Sequence, residues 1–246
     1  MICAFLFYPI PRTHASRNRE QMFFLFFLCS GSKNYIIEYE ERGDFMKPEY
    51  TKFLGEILTK IATTDQIRPS KVPDIDLYMD QVTHFMDEHL KESKRYDDDK
   101  ILTKTMINNY AKNKLLPPPT KKRYSREHMY VLLFIYYFKG FLSLTDIQSI
   151  LGPITDNYFE SEEGFNIKDI YEKVYSLSEE QISKSAHEIM NSFHTASHSF
   201  EDCPDEDKDF LQMFSFICLL GFDIYLKKQV IEQMIDSLSD HTSPKK

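Results

Sequence analysis

Apolar residues recur every three or four positions along most of the chain, and this spacing predicts helices rather than strands. Prolines, glycines and short polar clusters separate the apolar segments, as expected at helix ends. The predicted helices are Pro48–Ala62, Asp74 or Asp76 to about Leu90, Lys104 to about Lys114, Arg126–Lys139, Ser143 or Thr145 to Leu151, about Ile167–Thr195 and about Asp205–Leu238. Since no convincing alternation of apolar and polar residues occurs, we expect an all-α fold.

Residue types at the predicted helix ends support these boundaries. Thr103 and Ser125 are favourable N-caps, because their hydroxyl groups accept hydrogen bonds from the unpaired amides of a first helical turn. Three consecutive prolines, Pro117–Pro119, stop the third helix, since proline lacks an amide donor. We expect Gly140 to end the fourth helix in a left-handed conformation. The pair Gly152–Pro153 is expected to end the fifth helix, and we place the main domain boundary there.

The first 45 residues follow neither helical nor strand periodicity, although they contain the apolar run Met22–Cys29. Glu41–Phe45 includes an Arg-Gly pair, which the purine-rich codons AGG and GGN encode. Such a sequence just upstream of Met46 is typical of a ribosome-binding sequence. We therefore expect the native chain to begin at Met46 and residues 1–45 to be a non-native or disordered extension. N-terminal sequencing of the protein expressed from its own locus tests this expectation.

The composition excludes several protein classes. Hydrophobic residues make up 42% of the 246 residues and charged residues 28%, which is typical of a folded chain. Seven glycines are too few for a β-sandwich or a glycine-rich nucleotide loop. The spacings of the common nucleotide-binding, zinc-protease and serine-hydrolase motifs do not occur either. We therefore expect no enzymatic activity, no cofactor and no metal centre.

Cysteine spacing and hydropathy bear on location. The four cysteines are scattered without the spacing of a disulfide framework, which favours a reducing cytoplasm. The longest strongly apolar run, Phe210–Leu226, is interrupted by Gln212, Ser215 and Asp223 and is too short to predict a membrane span. A helix that is apolar on nearly all sides must be buried, so we expect core packing there. An apolar ligand pocket and a dimer contact are the alternatives.

Charge is unevenly distributed along the chain. The net charge is −8, yet the 27 residues from Lys100 to Arg126 include eight basic residues and no acidic residue. The segment from Pro153 to Lys246 has 19 acidic and eight basic residues. A solvated surface that balances acidic neighbours is one interpretation of the basic segment. The other is an anion-binding surface, for which nucleic-acid phosphates are the most common extended target.

Three histidines and a cysteine raise the question of a metal site. His187, His194 and His198 share one face of a predicted helix, and Cys203 follows closely. Residues seven apart on a helix are separated by about 10 Å along its axis, so one ion reaches only His194 and His198. We therefore expect a polar surface or loop contact here rather than a metal site.

The order of elements between residues 102 and 151 resembles that of a known DNA-binding head. A short helix with the sequence TKTMINNYAKNK is followed by two leucines and three prolines, by the basic stretch TKKRYS, and by a helix that opens an apolar run. This order is similar to the head of the MerR-like winged helix-turn-helix regulators. Together with VPDIDLYMD at residues 72–80, the chain from about Pro48 onward resembles in particular the YkrK-like bacterial family, a domain of unknown function.

The chain departs from the MerR-like pattern in three places. Only Thr120–Arg123 separate the prolines from Tyr124, so the wing is reduced. Residues 91–101 make a longer connection between the second and third helices than a tight helix-turn-helix turn needs. Asn108 and Asn109 stand where the family usually has arginine and tyrosine. The resemblance therefore implies the geometry of the head and carries over no effector.

The resemblance implies an N-terminal helix and linker at residues 46–73, a winged helix-turn-helix head with a reduced wing at 74–152, and a helical dimerisation or effector domain at 153–246. It implies a cytoplasmic, sequence-specific DNA-binding transcriptional regulator of the repressor type. We expect it to bind double-stranded DNA as a homodimer, without a membrane, and to bind an unknown effector at the C-terminal domain. The residues expected to contact DNA are Thr103, Lys104, Thr105, Asn108, Asn109, Lys112, Lys121, Lys122, Arg123 and Tyr124. For Tyr124 the alternative is packing with its hydroxyl at the surface, and for Asn108 and Asn109 it is ordinary solvated polarity. The alternative is a helical protein-interaction module that keeps the head fold without binding DNA.

Overall fold

The fold is mostly helical, which confirms the main expectation from the apolar spacing. A computed structural model describes residues 23–30, 33–40, 46–63, 67–159, 161 and 164–242. Its helices are α1 (Pro48–Thr63), α2 (Met79–Leu90), α3 (Lys104–Lys112), α4 (Arg126–Phe138), α5 (Leu144–Tyr158), α6 (Ile167–Ser197) and α7 (Asp205–Thr242). Its strands are β1 (Phe23–Ser30), β2 (Lys33–Glu40), β3 (Leu77–Tyr78) and β4 (Arg123–Tyr124).

Strands β1 and β2 form a hairpin that the apolar pattern does not predict. They pair antiparallel, with Phe23 opposite Glu40 and Ser30 opposite Lys33. Aromatic and β-branched residues, which favour strands, are frequent in both segments. The expectation that this part of the chain has no strands is therefore wrong. The other residues of the N-terminal 45 lie outside the described residues, and a native start at Met46 stays a prediction.

The chain divides into two compact units. Unit 1 comprises Met1–Thr63 and Ser178–Tyr225, and unit 2 comprises Thr64–Leu177 and Leu226–Lys246. Helices α6 and α7 therefore contribute residues to both units. The domain boundary expected at Gly152–Pro153 lies inside α5, within unit 2.

Helix α5 continues past the residue pair that was expected to end it. Ser143 caps its N-terminus, because the serine hydroxyl accepts a hydrogen bond from the Asp146 amide at 3.1 Å. The helix then runs through Pro153, which lacks the amide that would donate to the preceding turn. Ile154 packs on the core of unit 2, and Phe159 is buried just beyond the helix. The burial of these apolar side chains offsets the lost hydrogen bond, so the predicted stop was wrong.

Two other helix ends differ from prediction. Gly140 does not adopt the expected left-handed conformation. The chain leaves α4 through a turn in which the Leu142 amide donates to the Phe138 carbonyl at 3.0 Å. Helix α2 begins later than predicted, at Met79, because the two residues before it form β3 and pair with β4.

Unit 2 is built around α4, whose residues 128–135 are all buried. The core also includes Val82 and Met86 of α2, Ile107 and Tyr110 of α3, and Ile147 and Leu151 of α5. The hydroxyl of Tyr171, in the first part of α6, donates to the Ile67 carbonyl at 2.6 Å. Apolar burial against α4 therefore fixes the positions of α2 and α3, which carry the predicted head.

Unit 1 has a smaller core formed by α1, the second part of α6 and the first part of α7. The rings of Phe193 and Phe216 meet edge to face, with 5.2 Å between their centroids. Gln212 is buried beside them, and its side-chain amide donates to the carbonyls of Ser197 and Ser199 at 2.7 and 3.1 Å. These hydrogen bonds fasten one side of α7 to the end of α6.

Helix α7 is not the fully buried helix that its composition predicts. In unit 1 it turns Gln212 and Phe216 to the core. Its other side chains include Phe210, Phe214, Ile217, Phe222, Ile224 and Tyr225, each more than half exposed. By length and apolar composition, residues 205–238 also qualify as a candidate membrane span, a property that core helices of soluble proteins share. Periodicity identifies apolar side chains but not what covers them, and the prediction of core burial was wrong for this reason.

Candidate nucleic-acid interface

Helix α3 is amphipathic, and its buried side determines which residues face solvent. Thr103 caps the helix as predicted, since its hydroxyl oxygen accepts a hydrogen bond from the Met106 amide at 3.2 Å. Ile107 and Tyr110 are buried in the core of unit 2. The predicted contact residues on this helix are all exposed, namely Lys104, Thr105, Asn108, Asn109 and Lys112. The polar face of α3 is therefore accessible to a ligand.

The basic residues that follow the prolines form a tight turn. The Arg123 amide donates to the Thr120 carbonyl at 2.9 Å, and the two residues between them, Lys121 and Lys122, have φ angles of 51° and 63°. Positive φ at both central positions is the signature of a type I′ turn, where asparagine or glycine is usual because other side chains are strained. The reduced wing expected from the sequence is thus a four-residue turn with two lysines at its tip, which we call the basic turn.

The basic turn and α3 are both attached to the start of α2. Arg123 lies opposite Tyr78 in the β3–β4 pair, and its guanidinium donates from Nε and Nη2 to the Tyr78 hydroxyl at 3.2 and 3.1 Å. Lys104, the first residue of α3, forms an ion pair with Asp80, two residues after Tyr78. These contacts bring the N-terminus of α3 and the basic turn to the same end of α2.

Acidic and phenolic groups modulate the charge of this region. Besides the ion pair at Lys104, Asp74 binds Arg126 with 2.9 Å between Oδ1 and Nη1. The hydrogen bond to the Tyr78 hydroxyl raises the pKa of the Arg123 guanidinium, so this group keeps its charge. The basic residues with exposed side chains are Lys100, Lys104, Lys112, Lys114, Lys121, Lys122 and Arg123. A positive surface therefore remains after the aspartate contacts are taken into account.

Two of the predicted contact residues serve the fold instead. Tyr124 is only 3% exposed, and its ring meets the His128 ring edge to face at 5.5 Å. Burial raises the pKa of the Tyr124 hydroxyl. The side chain of Tyr124 therefore packs in the core and is not accessible for the predicted DNA contact. Thr103 uses its hydroxyl oxygen to cap α3, so its contribution is to position the helix.

The sequence patterns missed two residues of this region, Tyr78 and Lys114. Tyr78 orients Arg123, but a strand of two residues shows no apolar alternation that would have indicated the pairing. Lys114 has a φ of 58° just after α3, where the Leu115 amide donates back to the Tyr110 carbonyl at 2.9 Å. Helices usually have glycine at such a position, so a lysine there is a signal that could have been noticed.

The histidine face of α6 makes local contacts. The rings of His194 and His198 meet at 4.5 Å between centroids, and His198 Nδ1 lies 2.9 Å from the His194 carbonyl oxygen. Within the ranges that the structure describes, no group of three or more His, Cys, Asp or Glu side chains is arranged to hold a metal ion.

A family match covers the helices that carry this surface. Residues 67–174 match the model of a family described as Domain of unknown function (DUF1836). The matched segment includes α2 to α5, the basic turn and the start of α6, and it is less than half of the chain. It confirms the expected resemblance to a domain-of-unknown-function family, whose description names no activity. Neither the curated proteins nor the solved structures compared with the chain give a match.

Proposed function

We propose that the chain is a sequence-specific DNA-binding transcriptional regulator of the repressor type, with a MerR-like head in unit 2. One observation carries this proposal: α3 and the basic turn are attached to the same end of α2 through Asp80 and Tyr78. One extended polyanion can therefore meet an exposed polar helix face and the two tip lysines together. The resemblance of residues 102–151 to MerR-like heads supports the same assignment.

In this proposal α3 lies in the major groove of double-stranded DNA. Asn108 or Asn109 pairs with the N6 and N7 atoms of an adenine, since an asparagine amide matches that donor and acceptor pair. Lys104 and Lys112 reach guanine edges or phosphates, and Thr105 lies on the same exposed face. Lys104 exchanges its ion pair with Asp80 for this contact, so Asp80 moderates binding to any duplex.

The basic turn contacts the DNA backbone. Lys121 and Lys122 stand at its tip, and Arg123 is held beside them by the Tyr78 hydroxyl. Cationic side chains at phosphates release condensed counterions, which makes the affinity depend steeply on salt. These contacts position α3 over its bases and carry no sequence information of their own.

The proposal includes a homodimer. Helix α3 has nine residues and reads too few base pairs for useful selectivity alone. Two copies related by a two-fold axis read two half-sites, and the operator then has the same symmetry. We also propose a cytoplasmic location, the absence of enzymatic activity, and an unknown effector that binds the C-terminal part and changes the affinity for DNA.

Footprinting of the full chain on the DNA upstream of its own gene tests the proposal. We expect a protected region with two half-sites, and an affinity for that duplex that falls linearly on a log–log scale as salt rises. The matched control is the same duplex with the protected bases scrambled, which should bind more weakly with a similar salt dependence.

The absence of salt-dependent duplex binding would contradict the proposal. It would favour a helical protein-interaction module, in which the ion pairs of Lys104 with Asp80 and of Arg126 with Asp74 stabilise the head alone. Binding of equal strength to the specific and the scrambled duplex would leave DNA binding in place but contradict sequence recognition.

A further inference from the structure

The part of α7 between Phe210 and Phe222, in unit 1, has an apolar outward side. From Phe210 to Phe222 the helix has no charged residue. The buried side of this segment includes Gln212 and Phe216. On the opposite side, positions four, seven and eleven residues after Phe210 fall on one line along the helix. We call this surface the α7 stripe, and its members are Phe210, Phe214, Ile217, Gly221, Ile224 and Tyr225.

The α7 stripe is large enough to form an interface. Its five large side chains are between 54% and 72% exposed. Aromatic side chains have about 150–250 Å² each, and three of the five are aromatic, so with the two isoleucines the stripe exposes on the order of 500–600 Å². An apolar patch of this size equals the largest that monomeric proteins usually expose, about 300–600 Å², and such patches are often interaction surfaces. A stable dimer buries about 800 Å² on each partner, and the flanking Phe222, 65% exposed, adds to the stripe.

Packing within one copy of the chain does not require a glycine at position 221, inside the α7 stripe. No heavy atom outside the helix's own backbone and adjacent residues lies within 4 Å of the position that a Cβ atom would take. Its φ is not positive, so the backbone does not require glycine there either. Glycine in a helix interior is unfavourable relative to alanine, because it loses more conformational freedom on folding. The missing side chain leaves a depression in an otherwise projecting apolar surface, and such a depression suits the close approach of another helix.

The stripe is complementary to itself. Phe214 projects from it, and Gly221 forms the depression seven residues later on the same side. The midpoint between them falls between Ile217 and Cys218. A two-fold axis at that midpoint makes two copies of the helix antiparallel, and each Phe214 then stands over Gly221 of the other copy. An isologous contact requires this kind of self-complementarity.

We infer that two copies of the chain pair through the α7 stripes of their unit 1, antiparallel, about a two-fold axis between Ile217 and Cys218. This pairing names the surface through which the proposed homodimer forms. It rests on the proposed function only in that DNA recognition by two half-sites gives the chain a reason to dimerise. A second copy fits better than a lipid surface, because Asp205, Glu206 and Asp207 at the start of α7 would be repelled by anionic headgroups. Entry of the helix into a bilayer would also break the hydrogen bonds by which the buried Gln212 holds it on unit 1.

Charged substitutions beside the axis test the inference in the full chain. Ile217 is 60% exposed, so a charged residue there removes little packing within unit 1. Ile217→Glu alone and Ile217→Lys alone each bring like charges together across the axis. We expect each to raise the dimer dissociation constant at least about 30-fold in sedimentation, the size of a central interface residue's effect. An equimolar mixture of the two variants pairs opposite charges and should restore the dimer.

Phe53→Glu is the matched control, since Phe53 of α1 is also 60% exposed in unit 1 but is not part of the stripe. We expect its dissociation constant to equal that of the unchanged chain. Rescue in the mixture excludes misfolding as the cause, because misfolded variants would not restore each other.

Three results would overturn the inference: a monomeric unchanged chain at micromolar concentration, equal weakening by Phe53→Glu, or no rescue in the mixture. A monomeric chain that floats with phosphatidylcholine–phosphatidylglycerol vesicles, and no longer floats as Ile217→Glu, would assign the stripe to lipid instead. A monomeric chain would also contradict the proposed homodimer, whereas all of these measurements omit DNA and so leave DNA binding itself to be tested separately. A dimer that binds no duplex would contradict only the proposed function.

Discussion

Helix α3 and the first part of α7 both pack one side on a core, but they expose opposite kinds of surface. Helix α3 buries Ile107 and Tyr110 and turns amides and lysines to solvent. Helix α7 buries the polar side chain of Gln212 and leaves Phe210 72% exposed. An exposed polar face is already solvated, whereas each exposed apolar Å² is less favourable than a buried one by about 25 cal/mol. Helix α3 is therefore suited to a charged ligand, and α7 to an apolar partner.

The difference also shows how far a helical pattern can be interpreted. On α3 the apolar residues occupy one side, so the pattern determines both the buried side and the exposed side. On α7 apolar residues occupy nearly all sides, so the pattern does not show which side is buried and which is exposed. The buried Gln212 shows the limit clearly, since only the carbonyls at the end of α6 make that position favourable for an amide.

The largest contrast is expected from truncating one isoleucine on each helix. Ile107 is fully buried, so Ile107→Ala should lower the free energy of unfolding by about 2–5 kcal/mol through reduced burial and a cavity. Ile217→Ala, at concentrations too low for dimers, should change it by less than about 0.5 kcal/mol. Urea unfolding followed by circular dichroism measures both. Equal losses would mean that Ile217 is covered within one copy of the chain.

Removing the charge of the basic turn should weaken binding to every duplex. Lys121→Ala, Lys122→Ala and Arg123→Ala together should reduce the log–log salt slope by about one for each phosphate that is no longer neutralised, or about three in all. Fluorescence anisotropy across a salt series measures the slope. A triple alanine variant at Lys168, Lys173 and Lys184 of α6 has the same change in net charge and should keep the original slope. An unchanged slope in the first variant would remove the basic turn from the DNA surface.

Asn108→Ala should affect sequence recognition alone. Removal of a bidentate hydrogen-bond pair to adenine costs about 1–3 kcal/mol on the specific site, and an amide contributes little to counterion release. We therefore expect weaker binding to the protected duplex and unchanged binding to the scrambled one. Asn113→Ala is the control for helix damage, because the side-chain amide of Asn113, just after α3, donates to the Asn109 carbonyl at the end of the helix. Equal weakening by both variants would indicate damage to the helix and not the absence of a base-pairing amide.

Gly221→Ala should produce the smallest effect. It should stabilise the folded monomer and weaken the dimer. A Cβ at this position meets open space in one copy of the chain. Alanine should therefore raise the free energy of unfolding of the monomer by about 0.5–1 kcal/mol. In the dimer the added methyl group fills the depression under Phe214, so the dissociation constant should rise. Thermal unfolding at low concentration and sedimentation at high concentration separate the two effects. A tighter dimer would contradict the placement of Phe214 over Gly221.

Local rules predict the elements whose ends are determined by neighbouring residues. Thr103 caps its helix as expected, and of the two residues proposed to start the fifth helix Ser143 caps it, because capping depends on a side chain and an amide three residues apart. Strand β3 could not be predicted, since two residues show no period and its pairing with β4 joins positions more than forty residues apart. The predicted helix end at Gly152–Pro153 was wrong for a related reason. The burial of Ile154 and Phe159 against distant parts of the chain outweighs the local helix-breaking effect of Pro153.

The candidate site shows the same division. The exposed face of α3 could be predicted, because Ile107 and Tyr110 mark the buried face by their spacing. Packing of Tyr124 was one of the two alternatives for this residue, but its contact with His128 could not be predicted, since that contact depends on how β4 meets α4. The role of Tyr78 in orienting Arg123 was not predicted, because no local pattern near residue 78 indicates that it pairs with residue 123.

Because the backbone of the basic turn is strained, hydrogen exchange at the turn should show whether a polyanion is bound there. Lys121 and Lys122 hold φ angles that an unfolded chain rarely adopts, and a single backbone hydrogen bond from Arg123 to Thr120 closes the turn. Such a segment opens locally at a lower free energy than the helices around it. A polyanion bound only to the closed turn stabilises that state by mass action. The proton on the Arg123 amide should then exchange with solvent more slowly, so its exchange rate measures binding without any label on the protein or the ligand.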